Sequence, residues 1–288
     1  MIAILMSAYN GAKYIEEQIG SLLSQTFQDF VIYIRIDGST DGTTEIVDRY
    51  VEKYPEKIKH VDVKGGNLGC GQSFMWLLEN VNADYYMYCD QDDVWLQTKI
   101  EETLRKMKEH DETGHEGVPC VVFTDAIIVD AQMNVMFESL WKSNHRNPDD
   151  AKDFYRYAIY RQAALGCTMM FNNEARRLAL GVKQFPDRKH GRHDRLIVLL
   201  CAKFGIVDYI DKSLIKYRQH NNNVSSYLSK TNNNKMEIVR LIMLSPKQRF
   251  DRIFSKFSKL RYMPFHVSYT RLFFTMCGKW FNMKRWNK

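Results

Sequence analysis

The sequence predicts an α/β fold: a Rossmann-like, mostly parallel sheet with helices on both faces, plus a helical C-terminal extension. Three observations carry this. Short β-rich runs alternate with helical periodicity through the first 125 residues. Polar, acid-bearing loops directly follow three of those runs. From Lys247 onward the composition turns basic and aromatic.

Ile2–Met6 is a continuous apolar run of strand length. Residues 12–26 then place Ile15, Ile19, Leu22 and Leu23 at helical spacing, with Glu16, Glu17 and Gln18 on the other face. Phe30–Ile36 is β-branched and aromatic, and Thr43–Tyr54 is helical until Pro55. Ile58–Val63 reads as the third strand, Gly69–Val81 as the third helix and Tyr85–Cys89 as the fourth strand. Leu96–His110 is a charged amphipathic helix, and Val118–Thr124 a fifth strand. Ligands bind beyond the carboxyl ends of strands in such sheets. Ser7-Ala8-Tyr9, Asp37-Gly38-Ser39 and Asp90–Asp93 all sit there.

After about residue 126 the pattern changes. Asn144–Asp150 is a polar break, followed by a helix over Asp149–Arg161 and an apolar run at Leu165–Phe171. A Lys-, Arg- and His-rich loop (Asp187–His193) leads into a helix at Asp194–Phe204. Two short strands, Ile206–Ile210 and Ser213–Tyr217, come next, and the Asn-rich segments Gln219–Val224 and Ser229–Asn234 form a loop. The expected division is a catalytic domain over 1–228, with halves 1–125 and 126–228, and an extension over 229–288.

The 288 residues are 45% hydrophobic and 26% charged, ordinary for a soluble globular protein with a substantial core. The net charge of +7 is uneven: Lys247–Lys288 holds eleven Lys and Arg against Asp251 alone. The body is mildly acidic and the tail strongly basic. Six scattered cysteines without a C-x-x-C pair read as free thiols of a reducing compartment. MIAILMSAYNG lacks a basic n-region and reads as a core strand and not as a signal peptide. No run reaches the roughly 18–20 apolar residues of a spanning helix. The expected location is cytoplasmic, peripheral on the cytosolic face of the membrane.

YYMYCDQDDVW places three carboxylates within four residues behind a buried strand. Like charges this close raise one another's pKa unless a cation neutralises them. A hard Mg²⁺ or Mn²⁺ takes one or two carboxylates and completes its shell with phosphate oxygens. The competing reading is a solvated turn capping the next helix, which needs one acid and not three. In IDGSTDGT, Asp37 can accept hydrogen bonds from a base or ribose, whereas Asp41 reads as a turn or cap residue. GGNLGCGQSF is only loosely a phosphate loop. Asp194 opens a helix, where the dipole keeps a carboxylate ionised. A plain N-cap remains the equal alternative. His190, His193 and Asp194 form at most a faint zinc set, with no cysteine or further histidine near. His220, just past an apolar strand, can ligate a metal or touch a phosphate.

Together these segments resemble the family-2 glycosyltransferases of the GT-A fold, and more narrowly bacterial rhamnosyltransferases of cell-surface polysaccharide synthesis. The resemblance covers roughly residues 1–225 and rests on SAYNGAKYIEEQIGSLLSQT, IDGSTDGT, DQDDVWLQTKIE, ALGCTMMFN, HDRLIVLLCAKFG and IDKSLIKYRQHNNNV in that order. It implies a DXD motif and an inverting transfer, plausible donors including dTDP-L-rhamnose, with a UDP-hexose donor or a non-catalytic nucleotide-sugar-binding partner as alternatives. Ser7, Tyr9, Asp37, Asn67 and Gly69 would line the nucleoside pocket. Asp90 and Gln91 would face the ribose or sugar, with Thr168 near the donor sugar and Arg218 on a phosphate. Asp92 and His220 would hold the metal, and Asp194 would be the catalytic base. Two departures stand out: Ile36 replaces the first of a usual acid pair, and Arg195-Leu196 replace aromatics after the base.

In the tail, Phe250, Ile253, Phe254 and Phe257 lie at helical spacing among Arg249, Arg252, Lys256 and Lys259. A basic amphipathic stretch suits an anionic membrane surface. The alternatives are a helical cap on the body or a contact with a second copy in a homo-oligomer. Nucleic acid is not an expected partner. A saccharide or lipid-linked saccharide is the expected acceptor.

Overall fold

The computed structural model describes residues 1–61, 66–159, 163–182, 193–220 and the isolated residues 267, 268, 271 and 275. Its elements are β1 (Ile2–Ala8), α1 (Ile15–Leu23), β2 (Phe30–Ile36), α2 (Thr43–Lys53), β3 (Ile58–Val61) and α3 (Cys70–Asn80). Then follow β4 (Tyr85–Asp90), β5 (Val94–Trp95), α4 (Lys99–His110), β6 (Cys120–Val129), β7 (Val135–Phe137) and α5 (Leu140–Ser143). The chain continues through α6 (Phe154–Ile159), β8 (Met169–Asn172), α7 (Asn173–Gly181), α8 (His193–Phe204) and β9 (Ile206–Arg218).

One sheet runs β3-β2-β1-β4-β8-β6-β9-β5, with β7 paired to β6. The first four strands are parallel, joined by the helical crossovers that parallel pairing demands. Strand β8 then enters antiparallel between β4 and β6. The short β5 and β7 also pair antiparallel. The sheet is therefore mixed: parallel from β3 to β4, antiparallel on both sides of β8, and parallel again between β6 and β9. The divide at residues 125/126 falls inside β6, so both halves share one sheet and one core.

Strand β4 shows how the two faces are covered. Tyr88 packs against Phe74 of α3 and His193 of α8, whereas its neighbour Cys89 meets Gln18 of α1. Successive strand residues point to opposite faces. Helices α3 and α8 therefore lie on one side and α1 on the other. Strand β1 is buried along nearly its whole length, as a strand covered on both faces must be.

Strand β6 runs past the expected end at Thr124 because Asp125, which reads as a terminus, is satisfied inside the strand. Its carboxylate accepts the backbone N–H of Ala126 at 2.8 Å and of Trp141 at 3.1 Å, and the Ser139 hydroxyl. The two strands expected over 206–217 are one. Ile210 pairs with Thr124 and Ser213 with Asp125, so Asp211 and Lys212 bulge outward without ending the pairing. The helix expected over Asp149–Arg161 opens with a tight 3₁₀ turn at Pro148–Lys152, and only Phe154–Ile159 is α-helical among the described residues. The basic loop from Asp187 and nearly all of the tail lie outside the described residues.

Gly205 joins α8 to β9 where the chain passes Pro119. A Cβ there would stand 1.9 Å from the Pro119 carbonyl oxygen, whereas one on Gly181 would meet nothing within 4 Å. Gly205→Ala should lower the unfolding free energy by about 1–3 kcal/mol in urea titration, the usual cost of overpacking. Gly181→Ala should leave it within about 1 kcal/mol of the wild type.

Candidate functional site

The parallel register aligns three strand ends. Ser7 on β1 lies between Arg35 on β2 and Asp90 on β4. The loops after these strands therefore open side by side at the carboxyl edge, where α/β sheets bind ligands.

On the β2 side, Arg35 is fully buried and pairs with Asp37, two residues on and on the same strand face. The guanidinium also donates to Ser73 Oγ at 2.9 Å and to the Gly66 carbonyl at 2.8 Å. Asp37 accepts the N–H groups of Leu68 at 2.7 Å and Gly69 at 2.8 Å, while Asn67 Nδ2 donates to the Asp37 carbonyl at 2.9 Å. The expected nucleoside residues Asp37, Asn67 and Gly69 are thus brought together. Asp37, only 2% exposed, shapes the glycine loop through both carboxylate oxygens. Arg35 had escaped the sequence analysis, although a lone charge inside FVIYIRI is the signature of a buried pair.

Tyr9 is 52% exposed, an aromatic face open to a ligand. Its backbone is clamped by Gln91, whose Oε1 accepts the Tyr9 N–H at 2.7 Å and whose Nε2 donates to the Tyr9 carbonyl at 2.9 Å. Gly11 makes this possible: a Cβ there would overlap Gln91 Oε1 at 2.2 Å. The turn after β2 braces the same loop. Ser39 Oγ accepts the Asn10 N–H at 3.0 Å, and Asp41 accepts those of Ala12 at 3.0 Å and Thr43 at 3.2 Å. Asp41 is a turn residue, as its place before Gly42 suggested.

The three acids after β4 divide into two environments. Asp90 and Asp92 are half-buried, and Asp93 is fully buried. Burial, then the charges of Asp92 and Asp194, push Asp90 up to about 7. Burial, then Asp92 and Asp90, push Asp93 well up. Asp93 Oδ1 accepts the Arg218 backbone N–H at 3.0 Å, and Asp92 Oδ2 stands 2.7 Å from His220 Nε2. Asp90, Asp93 and the Cys167 thiol bring ligand atoms within 4.8 Å of one another. That inner trio is a poor cation site. The buried Lys99 lies close enough to Asp93 to feel its charge, and its ammonium sits 4.4 Å from the Trp95 ring centre. Burial lowers its pKa to about 8. Asp92 and His220, on the open side, are the residues that can hold a hard divalent ion with phosphate oxygens.

Asp194 lies in the first turn of α8. Its Oδ2 accepts the Gly166 N–H at 3.1 Å, across to another segment, and its Oδ1 accepts the Arg195 N–H at 2.6 Å. The reach to Gly166 goes beyond capping its own helix. Cys70, at the start of α3, draws the site together. Its thiol is pushed up chiefly by burial and then by the charges of Asp90, Asp194, Asp37 and Asp92. Acids from three chain segments therefore act on one thiol.

Three expected ligand contacts have other tasks in the structure. Gln91 holds the Tyr9 backbone. Thr168 is fully buried, its hydroxyl donating to the Leu165 carbonyl at 2.8 Å and accepting the Leu165 N–H at 3.1 Å. Arg218, 3% exposed, donates from Nε to the Asp92 carbonyl at 2.7 Å, from Nη1 to the Ala131 carbonyl at 3.1 Å, and from Nη2 to Glu17. Each is positioned by its neighbours to support the edge. The faint zinc set finds no support in His193, whose ring is stacked on Phe74 at 4.2 Å and held neutral by burial, with its pKa near 4. His190 lies outside the described residues. The five described cysteines are free.

With this geometry in view, comparison with known proteins indicates what the chain is similar to. Residues 3–130, just under half of the chain, match Glycosyl transferase family 2. Over that stretch the chain is similar to the family-2 glycosyltransferases, and its fold is GT-A. Among curated proteins it is 28% identical to the dTDP-rhamnosyl transferase RfbG of Shigella flexneri, over 76% of this chain and 72% of that one. It is 24% identical to an uncharacterized glycosyltransferase of Rickettsia typhi, over 76% of this chain and 64% of that one. Among solved structures it resembles S. aureus TarS in complex with UDP-GlcNAc, with a TM-score of 0.56 at 17% identity, covering 92% of this chain and 68% of that one. It also resembles the mannosyltransferase PcManGT of Pyrobaculum calidifontis in complex with GDP-Man and Mn²⁺, with a TM-score of 0.50 at 14% identity, over 77% and 58%. The chain thus spans less than two thirds of some of these relatives' own length. Among the described residues no helix is long and apolar enough to cross a membrane.

The carboxyl of Asp90 binds its proton up to about pH 7 in the folded chain, against about 3.9 in an unfolded one. The folded state therefore holds the extra proton between these values, and the stability it contributes is lost as pH rises through about 7. Without added divalent cation, Asp90→Asn should gain on the wild type by roughly 2–4 °C in Tm for each 1 kcal/mol as pH rises from about 5 to 8. Thermal melts across that range that run parallel would contradict the assignment.

Proposed function

We propose that the chain is an inverting glycosyltransferase that moves a sugar from a nucleoside-diphosphate donor to a saccharide or lipid-linked saccharide, in cell-surface polysaccharide synthesis. The observation that carries this is the parallel register that sets the ends of β1, β2 and β4 side by side, with Asp37 just after β2 and Asp90 and Asp92 at the end of β4. It supports a donor lying along the strand ends, with its nucleoside toward Asp37 and Tyr9 and its diphosphate toward Asp92. The likeness to a dTDP-rhamnosyl transferase favours dTDP-L-rhamnose.

In this reading Ser7, Tyr9, Asp37, Asn67 and Gly69 seat the nucleoside, and Asp90 faces the ribose or sugar. Asp92 and His220 hold Mg²⁺ or Mn²⁺. Burial raises Asp90 most, and the added repulsion of Asp92 and Asp194 favours a cation at this edge. The bound ion would supply positive charge against the departing diphosphate. Asp194 accepts the proton of the acceptor hydroxyl as its oxygen attacks the anomeric carbon opposite the diphosphate, inverting the configuration. Gly166 orients the carboxylate by its N–H.

The division into a catalytic domain over 1–228 and an extension over 229–288 belongs to the same proposal, with a peripheral contact on the cytosolic membrane face through the basic tail. Part of the tail also lies against the body. Val267 is buried, and Arg271 stands 4.6 Å from the Tyr155 ring centre and 3.4 Å from Asp153.

A thermal-shift panel of nucleotide sugars with and without Mn²⁺ tests the donor: stabilisation by dTDP-L-rhamnose supports rhamnosyl transfer, and a UDP preference redirects it to hexoses. Asp194→Asn should cut turnover by about 10²–10⁴-fold while metal-dependent nucleotide binding persists. Asp92→Ala should lose that binding. Full transfer activity in both variants would sink the mechanism.

A further inference from the structure

Tyr14 and Glu17, at the start of α1, take no part in the donor or base assignments. Tyr14 is half-buried just before the helix, and its ring stacks on His220 with centroids 4.9 Å apart and planes 26° apart. The Arg218 guanidinium carbon lies 4.6 Å from the centre of the same ring. Glu17 accepts from Arg218 Nη2. These two partners of α1 are also the two residues that fix Asp92. His220 Nε2 stands 2.7 Å from its Oδ2, and Arg218 Nε donates to its carbonyl at 2.7 Å. Arg218 further holds Asp93 by its backbone N–H at 3.0 Å.

We propose that Tyr14 and Glu17 are positioning residues, holding His220 and Arg218 in the arrangement that presents the Asp92 carboxylate to a divalent cation. The inference rests on the reading of Asp92 as a metal ligand. Its physical basis is orientation. An imidazole just past the end of β9 has free side-chain torsions, and a flat aromatic face restricts them while leaving the ring edge to meet Asp92. The guanidinium gains from the same ring by its charge, and Glu17 sets the direction of its fork. A residue near the N-terminus thereby shapes a loop some eighty positions on, through two residues more than two hundred positions on.

Mn²⁺ binding in the presence of dTDP, and then of UDP, measured by calorimetry on the full chain, tests this. Asp92→Asn should abolish it. Tyr14→Leu fills similar space without a flat face, and should weaken it about 10–100-fold, as loss of an orienting partner behind a metal ligand does. Tyr14→Phe keeps the ring and should stay within about twofold. The His220 ring-proton resonance should lose its aromatic ring-current shift in Tyr14→Leu and keep it in Tyr14→Phe. Wild-type Mn²⁺ affinity in Tyr14→Leu, with binding lost in Asp92→Asn, would overturn the positioning role and leave the metal reading standing. Unaltered binding in Asp92→Asn would overturn the metal reading itself. Should Tyr14→Leu fail to fold, Glu17→Gln, whose side chain is 50% exposed, takes its place. A severalfold weaker Mn²⁺ affinity is then expected, and an unchanged one rejects the proposal.

Discussion

A single guanidinium holds the acidic edge together. Arg218, the last residue of β9, joins Glu17 of α1, the backbone of Asp92, the carboxylate of Asp93 and the turn at Ala131. Its side chain is nearly without solvent, which strengthens its bonds to the Asp92 and Ala131 carbonyls, while its partner Glu17 is half exposed. A buried Arg satisfied at every arm is also a rigid one, because moving it would leave several acceptors and a charge unpaired. The loop bearing Asp90, Asp92 and Asp93 is held from behind by this fork and from the side by Gln91 on the Tyr9 backbone.

That scaffold restrains charges that oppose one another. Asp90, Asp92, Asp93 and Asp194 come from two distant segments; burial, and then the neighbouring acids, raise the proton affinity of Asp90 and Asp93. Lys99 offsets part of the repulsion from inside, facing Asp93, while the open side is left to Asp92 and His220. The result is a closed inner layer beneath a half-buried pair, Asp92 and His220. A second buried pair, Arg35–Asp37, does for the glycine loop what Arg218 does for the acids. Both arginines sit near strand ends, where the sheet supplies rigid anchor points.

Much of this was legible beforehand. The strand–helix alternation through β4, the acids at strand ends and the helix start at Asp194 follow from local pattern, since burial on both faces demands continuous apolar runs. Antiparallel β8 was not legible as such, because four residues of apolar sequence carry no direction and its partners β4 and β6 are far away in the chain. Asp125 and the bulge at Asp211-Lys212 misled by local chemistry: polar residues inside a strand look like its end until their distant hydrogen-bond partners are known. Arg35 and Lys99 went unread, although each is a lone charge on a buried face, Lys99 sharing the buried side of α4 with Thr103 and Met107.

The sequence by itself determined the α/β order, the family resemblance and which residue types stand at strand and helix ends, because these depend on periodicity and spacing along the chain. Only the tertiary structure decided which of those residues face the edge and which support it. The resemblance implied Gln91, Thr168 and Arg218 as ligand contacts, yet their polar atoms are matched by Tyr9, Leu165, Asp92 and Glu17. A polar side chain's task is set by the partners that folding brings to it, and those partners lie up to two hundred residues away.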